Sequence, residues 1–417
     1  MRAFPFPRVI PMRILHTSDW HLGQHFMGKT RQAEHQAFCH WLIEQVEARQ
    51  VDAVLIAGDI FDTGAPPSYA REQYNQFIVD LRATGAELVV LGGNHDSVAM
   101  LGESRSLLAQ LQTRVVPAVG LDPAEQVLVL RHRSGVPGAI LCAIPFIRPR
   151  DVLQSQAGQS AADKQLSLQQ AIQAHYQHLF DLARERRSEL GGGLPIVATG
   201  HLTTVGASAS ESVREIYVGA LEAFPTNAFP AADYIALGHI HRPQKVGGLE
   251  HVRYSGSPIP LAFDEASQQK EVLLVELDSI GLHKVEALPV PRFQPLHSLR
   301  GSLAELPALL AAVASEGTPE RPVWVEVQVS TDDYLNDLQA RLAALCEGLP
   351  VEVLRIRRER GNVLPGLQRE ARETLDELNP EEVFDKRLES EELDAALRGE
   401  LQGLHRRVLA DLREGDA

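Results

Sequence analysis

Five short polar segments, each placed directly after a run of apolar β-type residues, constrain the fold of this chain more than any other feature. They are Asp19-Trp20-His21, Gly58-Asp59, Gly93-Asn94-His95-Asp96, Gly200-His201 and Gly238-His239-Ile240-His241. The carboxyl ends of strands in an open α/β sheet meet along one edge, which is where binding sites assemble. The sequence therefore predicts an α/β fold whose strand ends share one polar site.

The side chains at these strand ends have the chemistry of a two-metal site. Apart from His95 and Asp96, they comprise two aspartates, one asparagine and four histidines. Mixed nitrogen and oxygen donors suit Mn, Fe or Zn better than Mg or Ca. Two divalent ions with one shared carboxylate are the expected arrangement.

Spacing separates the candidate ligands further. Residues two apart on an extended segment face the same side, so Asp19 and His21 are predicted to bind one ion together. By the same argument His239 and His241 face one cavity. Asp59 follows its strand directly, which makes it the candidate for the bridging carboxylate.

The segment around Asn94 offers a proton donor beside a weak ligand. Asn94 and His95 are adjacent, so their side chains point in different directions. The Asn94 amide oxygen is a neutral ligand, whereas His95 is placed to face the substrate as a catalytic acid. Asp96 is predicted to orient His95 and to share the catalytic role.

Three nearby residues have more than one interpretation. Asp62 is expected either to support a ligand or to cap the helix that follows near Ser68. His16 lies inside the first strand and is predicted to be a packed core histidine. His25 is expected to be a solvated loop residue rather than a ligand.

Apolar periodicity predicts alternating strands and helices in the first part of the chain. Helices are expected over residues 31–50, 68–84 and 97–111, one after each of the strands that precede Asp19, Asp59 and Asn94. Further strands and a helix over about 163–189 follow. The expected architecture is a sandwich of two mixed sheets flanked by helices, with the sheets meeting edge to edge.

A smaller unit follows a proline-rich linker at 289–295. Strict alternation at 322–329 and 351–357, with a helical pattern at 332–347 between them, predicts a small βαβ domain. From Leu367 onward the pattern is helical and charged. The expected domains are a disordered extension at 1–11, a catalytic domain at 12–288, a small α+β domain at 296–362 and C-terminal helices at 366–417.

Composition restricts the function classes. A chain of 417 residues is expected to form two or three domains. The three cysteines are scattered and odd in number, which favours a reducing cytoplasm. No membrane span or secretory signal is apparent, and Met12 is a candidate natural start. The net charge of −15 argues against attraction of the whole molecule to nucleic acid.

Four segments resemble the SbcD family of exonuclease subunits within the calcineurin-like metallophosphoesterases. They are residues 16–23, 58–62, 93–97 and 254–260, of which Asp-Trp-His-Leu-Gly and Ser-Gly-Ser-Pro-Ile-Pro are the more specific. The resemblance extends from Met12 over essentially the whole chain.

This resemblance implies a set of site residues. One ion would be held by Asp19, His21, Asp59 and His241, and the other by Asp59, Asn94, His201 and His239. Each matches the family pattern without substitution, and His95 becomes the catalytic histidine. The implied metal is Mn²⁺.

The resemblance also implies substrates and partners. The family acts on DNA ends and hairpins, as a 3′→5′ exonuclease on duplex and an endonuclease on single strands. Its partner is an ABC-type ATPase of the SbcC type with a coiled coil, and the nuclease dimerises within a heterotetramer. The small domain would be a DNA-contacting capping domain, and the C-terminal helices would dock on the ATPase.

A basic run offers a local DNA contact despite the negative net charge. Arg355, Arg357 and Arg358 lie in the expected capping domain and are the candidate DNA-binding residues. The alternative interpretation is a solvated strand end.

Two other functions compete with a nuclease: another metallophosphoesterase (a phosphomonoesterase or cyclic-nucleotide phosphodiesterase) and an inactive scaffold. The small domain argues against the first, and the complete ligand set argues against the second.

Overall fold

The computed structural model describes residues 11–120, 122–153, 160–213, 223–329 and 337–358, together with residues 401, 404 and 405. For residues 161, 162, 164 and 358 only the backbone is described. The predicted N-terminal extension, apart from Pro11, and nearly all of the predicted C-terminal helices lie outside these residues.

The helices and strands are numbered in chain order. The strands are β1 Met12–Thr17, β2 His25–Phe26, β3 Lys29–Thr30, β4 Ala53–Ile56, β5 Glu87–Leu91, β6 Thr113–Val116, β7 Val127–Arg131, β8 Pro137–Cys142, β9 Ile196–His201, β10 Tyr234–Gly238, β11 Gln244–Lys245, β12 Val252–Tyr254, β13 Glu271–Asp278, β14 Gly281–Pro289, β15 Leu296–Gly301, β16 Val323–Val329 and β17 Val351–Arg358. The helices are α1 Gln32–Ala48, α2 Ser68–Thr84, α3 Val98–Gly102, α4 Arg105–Gln110, α5 Pro149–Val152, α6 Ala161–Glu189, α7 Leu306–Ala314 and α8 Leu338–Leu345.

Two mixed sheets form the larger part of the molecule. The first sheet has the strand order β14-β13-β1-β4-β5-β6, with parallel pairing from β1 to β6. The second sheet has the order β11-β12-β10-β9-β8-β7, with parallel pairing from β12 to β8. The predicted sandwich of two mixed sheets is therefore confirmed, and in each sheet the ligand-bearing strands are parallel.

The two sheets pack face to face, so the predicted edge-to-edge arrangement is wrong. Met12 and Ile14 of β1 share one buried cluster with Leu141 of β8 and Val197 of β9. Leu15, one residue away, points to the other face, where it packs in the cluster of α1 and α2. Strands with both faces buried carry nearly continuous apolar runs, and such runs do not indicate which face meets which neighbour.

His16 makes a polar contact between the sheets. Its Nε2 lies 3.2 Å from the carbonyl oxygen of Leu237, and its Nδ1 lies 3.0 Å from the hydroxyl of Tyr234. Nε2 therefore donates to the carbonyl, and Nδ1 accepts from the hydroxyl. The prediction of a packed core histidine is confirmed.

The smaller unit contains one strand and one helix more than predicted. Its sheet is β15-β16-β17, parallel throughout, with α7 and α8 as crossover helices. The sequence pattern predicted β16, the helix containing α8, and β17, but missed β15 and α7. The unit has its own apolar cluster, built around Leu306, Leu310 and Val325.

Two other expectations changed in detail. The helix expected at 97–111 is divided into α3 and α4, and Ser97 caps α3 by accepting from the amide of Met100 at 3.4 Å. Strand β14 was not predicted, although it pairs with β13 over the full length of that strand.

Among the described helices, none is long and apolar enough to cross a bilayer.

Candidate metal centre

The structure brings all seven predicted ligands to one place between the two sheets. The loops after β1, β4 and β5 supply those from the first sheet, and the ends of β9 and β10 supply those from the second. Six of the seven are buried almost completely: Asp19, His21, Asp59, His201, His239 and His241.

Four of these ligands have a left-handed backbone. The φ angles are 54° at Asp19, 49° at His21, 51° at Asp59 and 93° at His239. Such conformations cost a non-glycine residue about 1–3 kcal/mol and persist only where the surroundings impose them. The sharp bends turn consecutive side chains away from the strand direction and into the space between the sheets.

The glycines beside the ligands are required by close packing. A Cβ atom on Gly93 would lie 2.1 Å from Oδ1 of Asp59, and one on Gly58 would lie 2.2 Å from Nδ1 of His201. A Cβ on Gly238 would lie 2.0 Å from the carbonyl oxygen of Ala57. The Gly–ligand pairs in the sequence therefore reflect the close approach of the five loops.

The ligand atoms form two neighbouring sets. In one set, atoms of Asp19, His21 and His241 lie within 4.8 Å of one another. In the other, the same limit holds for Asp59, His201 and His239.

Asp59 lies between the two sets. Its Oδ2 is 3.2 Å from Nε2 of His201 and 3.7 Å from Nε2 of His21. Asn94 adds Oδ1 to the second set, at 2.8 Å from Nε2 of His201 and 3.1 Å from Nδ1 of His239. This arrangement fits a carboxylate shared by two ions.

The polar atoms that face this space fit divalent cations. Within the described residues, Nε2 of His21, which lies 3.7 Å from Oδ2 of Asp59, is buried without a hydrogen-bond partner. A buried polar nitrogen without a partner is costly, and a metal ion would satisfy it. The donor set and this nitrogen together support binding of divalent metal.

Hydrogen bonds from the Nδ1 atoms of His201 and His21 fix the orientation of these two imidazole rings. Nδ1 of His201 lies 2.9 Å from the carbonyl oxygen of Ala57, and Nδ1 of His21 lies 3.0 Å from Oδ1 of Asp62. Each acceptor holds the hydrogen on Nδ1 and leaves Nε2 for a metal. Of the two interpretations of Asp62, the structure favours support of a ligand, because the residue at the cap of α2 is Pro67.

Charge coupling within the site favours an ionised Asp59. Burial opposes a charged His201, but the charge and hydrogen bond of Asp59 outweigh burial and raise the pKa of His201 to about 9. Burial likewise opposes ionisation of Asp59, yet the neighbouring imidazoles, His201 first, hold its pKa well below the usual range. Metal ions would displace the imidazole protons, so metal affinity should rise with pH.

His95 lies at the edge of the ligand cluster. Its Nδ1 is 2.7 Å from the carbonyl oxygen of Asp62, and its ring meets that of His21 edge-on with a centroid distance of 4.6 Å. One of its ring nitrogens also lies within 4.8 Å of ligand atoms of His21 and Asp59. Distance alone therefore permits His95 to be either an acid or a ligand.

Asp96 makes different contacts from those predicted. Its carboxylate accepts hydrogen bonds from the backbone amides of Ile60, Phe61 and Gly93 at 2.8–3.2 Å. These bonds join the loop that carries Asp59 to the loop that carries Asn94. Nδ1 of His95 is held by the Asp62 carbonyl, and the orienting role of Asp96 stays a prediction.

Comparison with known proteins places the chain in a family. A model described as calcineurin-like phosphoesterase matches residues 12–243, and one described as type 5 capsule protein repressor C-terminal domain matches residues 292–392. The chain is 54% identical to the SbcD subunit of the nuclease SbcCD from Escherichia coli (strain K12), over 96% of this chain and 98% of that protein.

The chain belongs to the SbcD family. The protein of the same name from Rhodobacter capsulatus is 35% identical over 82% of this chain and 86% of its own length. The one from Bacillus subtilis is 31% identical over 64% of this chain and 66% of its own length. The fold and metal chemistry predicted from the strand ends agree with this membership.

The basic run of this SbcD family member is paired with acidic side chains. Arg357 forms a bidentate salt bridge with Glu211, with nitrogen–oxygen distances of 2.9 and 3.2 Å. Its Nε also lies 3.1 Å from Oε1 of Glu326. Arg355 pairs with the same two glutamates. The side chain of Arg358 lies outside the described residues. Arg355 and Arg357, two of the candidate DNA-binding residues, therefore join the smaller unit to the catalytic domain.

Sequence reasoning missed the residues that support Asp19 and His241. Ser18 donates to Oδ2 of Asp19 at 2.6 Å, and its hydroxyl lies 2.9 Å from that of Ser255. Ser212 contacts His241, and a buried pair, Glu265 and Lys270, lies behind it. The Ser-Gly-Ser segment at 255–257 was the available signal, but its spacing alone does not indicate a contact with the first strand.

Proposed function

We propose that this chain is a DNA nuclease that hydrolyses phosphodiester bonds with two divalent metal ions held between its sheets. The observation that carries the proposal is the position of Asp59, whose carboxylate lies 3.2 Å from His201 of one ligand set and 3.7 Å from His21 of the other. Membership in the SbcD family and in the calcineurin-like phosphoesterases supports a metal-dependent nuclease.

We assign one ion to Asp19, His21, Asp59 and His241. The other is assigned to Asp59, Asn94, His201 and His239, as the remaining set. Bound ions would polarise the phosphodiester and lower the pKa of a water molecule. Because carboxylate, amide and imidazole ligands are mixed, Mn²⁺ is the proposed metal.

The proposed role of His95 is to transfer a proton to the leaving oxygen. Its Nδ1 donates to the Asp62 carbonyl, which fixes the ring and leaves Nε2 for proton exchange. Asp96 is proposed to act indirectly, because its carboxylate holds together the loops that present Asp59 and His95. We therefore classify Asp96 as a positioning residue.

Substrate and assembly are inferred from the family. The relatives are named as the SbcD component of a nuclease, SbcCD, and we propose that this chain likewise works with an SbcC-type ATPase. DNA ends and hairpins are the proposed substrates, with 3′→5′ exonuclease and single-strand endonuclease activity. We further propose a dimer of the nuclease within a heterotetramer, located in the cytoplasm.

The domain roles follow the same proposal. Residues 12–288 form the nuclease domain, residues 296–362 the capping domain, and residues 366–417 the ATPase-binding helices. Arg355, Arg357 and Arg358 are proposed to contact DNA phosphates. Phosphate oxygens would have to compete with Glu211 and Glu326 for two of these arginines.

One set of variants tests the site. Asp59→Ala should lose both metal and DNA cleavage, whereas His95→Ala should lose cleavage and keep two equivalents of Mn²⁺. Metal content after dialysis is measured by mass spectrometry, and cleavage is measured on end-labelled duplex and hairpin DNA. His25→Ala is the matched control, because this exposed histidine lies near the site in sequence.

The outcomes separate the alternatives. Loss of metal from His95→Ala would make this residue a ligand and contradict the assignment of an acid. Cleavage of p-nitrophenyl phosphate without cleavage of DNA would favour a phosphomonoesterase. Bound metal without hydrolysis of any substrate, with or without the ATPase, would favour a scaffold.

A second test concerns the basic run. Charge reversal at Arg355, Arg357 and Arg358 should weaken DNA binding and reduce its salt dependence, by about 0.9 in slope for each lost phosphate contact. Hydrolysis of bis(p-nitrophenyl) phosphate reports on the metal centre separately. Equal binding of DNA by parent and variant would remove the proposed contact.

A further inference from the structure

A short segment, residues 210–212, lies between the metal centre and the capping domain. On the inner side, Nδ1 of His241 lies 2.6 Å from the hydroxyl oxygen of Ser212. That hydroxyl donates in turn to Oε1 of Glu265 at 2.5 Å. The hydroxyl therefore accepts from Nδ1–H of His241, which leaves Nε2 of this imidazole for a metal.

The Glu265 carboxylate that accepts from Ser212 is buried. Glu265 is fully buried, and its Oε2 lies 2.7 Å from Nζ of Lys270, which also donates to the carbonyl oxygen of His241 at 2.8 Å. Ser210 donates to the same carboxylate at 2.6 Å. Ser210 and Ser212 thus both donate hydrogen bonds to the buried carboxylate of Glu265, which lies behind the metal ligand His241.

The side chain between these serines faces the other way. Glu211 is about half exposed and contacts Arg357 and Arg355 of strand β17. Its backbone amide donates to Asp264 at 2.9 Å. Ser212 therefore contacts the metal ligand on one side of the segment, and Glu211 contacts the capping domain on the other.

We propose that residues 210–212 couple the capping domain to the metal centre, with Ser212 as the positioning residue for His241 and Glu211 as the connection to Arg357. This inference rests on the proposed function, because it takes His241 as a metal ligand. It extends that function by giving the capping domain a direct influence on the ion that binds His241.

Other contacts hold the capping domain in place when this connection is cut. Phe26, from the hairpin after His21, stacks on Trp324 of the capping sheet at a centroid distance of 6.0 Å. Arg31 lies over both rings, and Lys29 pairs with Glu352. A variant of Glu211 should therefore change the coupling without releasing the domain.

The first experiment measures Mn²⁺ binding by titration calorimetry in the full-length chain. Ser212→Ala should weaken one of the two sites by about 10- to 100-fold and leave the other unchanged, as expected for loss of a contact behind a ligand. Ser212→Thr keeps the hydroxyl and should restore the affinity, and Ser188→Ala, on an exposed face of α6, is the matched control. Unchanged affinity in a folded Ser212→Ala variant, or equal weakening by Ser212→Thr, would overturn the positioning role.

The second experiment tests the connection to the capping domain. Glu211→Gln should weaken the same site by at most about fivefold, because a half-exposed ion pair contributes little energy. Arg357→Gln should give the same change, and the double variant should be no weaker than either single variant. Glu250→Gln removes an exposed glutamate that is paired with Lys245 and Arg253, and serves as the control.

The outcomes distinguish this inference from the function on which it rests. Weakening of the other site, or identical affinities for Glu211→Gln and the parent, would overturn the coupling while the two-metal assignment stands. A parent chain that binds no Mn²⁺ would overturn the proposed function, and the inference with it, before any variant is compared.

Discussion

His16 makes the packing of the two sheets sensitive to acid. Burial lowers the pKa of this imidazole to about 3, against an ordinary value of 6.5. Its neutral form donates to the Leu237 carbonyl and accepts from the Tyr234 hydroxyl, so a second proton would remove the acceptor that this hydroxyl uses. The folded chain therefore keeps His16 neutral while the unfolded chain can charge it.

The sign and size of the effect follow from this difference. Because the folded pKa is depressed, the contribution of His16 is complete above about pH 6.5 and is lost as the pH falls toward about 3. Each pH unit within this window costs about 1.4 kcal/mol, so a shift from about pH 7 to about pH 5 should cost about 2 kcal/mol. This loss of unfolding free energy hardly depends on the exact pKa of His16 in the folded chain, provided that His16 stays neutral at pH ~5.

The assay compares urea unfolding of the parent and of His16→Gln at the two pH values, followed by far-ultraviolet circular dichroism with a chelator present. Between about pH 7 and about pH 5, the variant should lose about 2 kcal/mol less unfolding free energy than the parent. His35 sets a residual sensitivity in both proteins, because burial and the nearby Arg31 lower its pKa to about 3. His40→Gln, at an exposed position of α1, is the control. The same pH dependence in the parent and His16→Gln would refute the reasoning.

Three further predictions concern the loops, the domain contact and the tail. Gly93→Ala should remove metal as Asp59→Ala does, since the new Cβ would lie 2.1 Å from Oδ1 of Asp59; retained metal would contradict this. Trp324→Ala should cost about 3–5 kcal/mol of capping-domain packing and speed proteolysis at the 290–295 linker, and unchanged cleavage rates would argue against the contact with Phe26. Truncation after Arg372 should abolish co-purification with the SbcC-type ATPase while hydrolysis of a small phosphodiester persists; full retention of the ATPase would contradict the docking role.

The strand ends could be predicted because several constraints agree there. Each ligand follows an apolar run, and the glycine beside it is required by close approach of the loops, as at Gly58 and Gly93. Helix α2 was predicted with its observed limits, because its apolar residues recur at helical spacing and Gly85 ends it in a left-handed conformation.

The packing of the sheets could not be read from the sequence. Residues of β1 are buried on both faces, so alternation carries no information about which face meets the second sheet. Helix α7 was missed because its residues are mostly apolar, and such a short run does not distinguish a buried strand from a helix. Long-range partners such as Ser212 of His241, or Glu211 of Arg357, depend on this packing and have no local signal.

Each proposed ion takes ligands from both sheets, which gives the metals a structural consequence. The first would join His241 of the second sheet to Asp19 and His21 of the first. The second would join His201 and His239 to Asp59 across the same boundary. The two ions would therefore act as cross-links, and each would oppose sliding or separation of the sheets in the way a disulfide restrains two chain segments. Because ions that bind only the folded chain stabilise it by mass action, the cohesion of the sandwich should depend on the concentration of free metal around it.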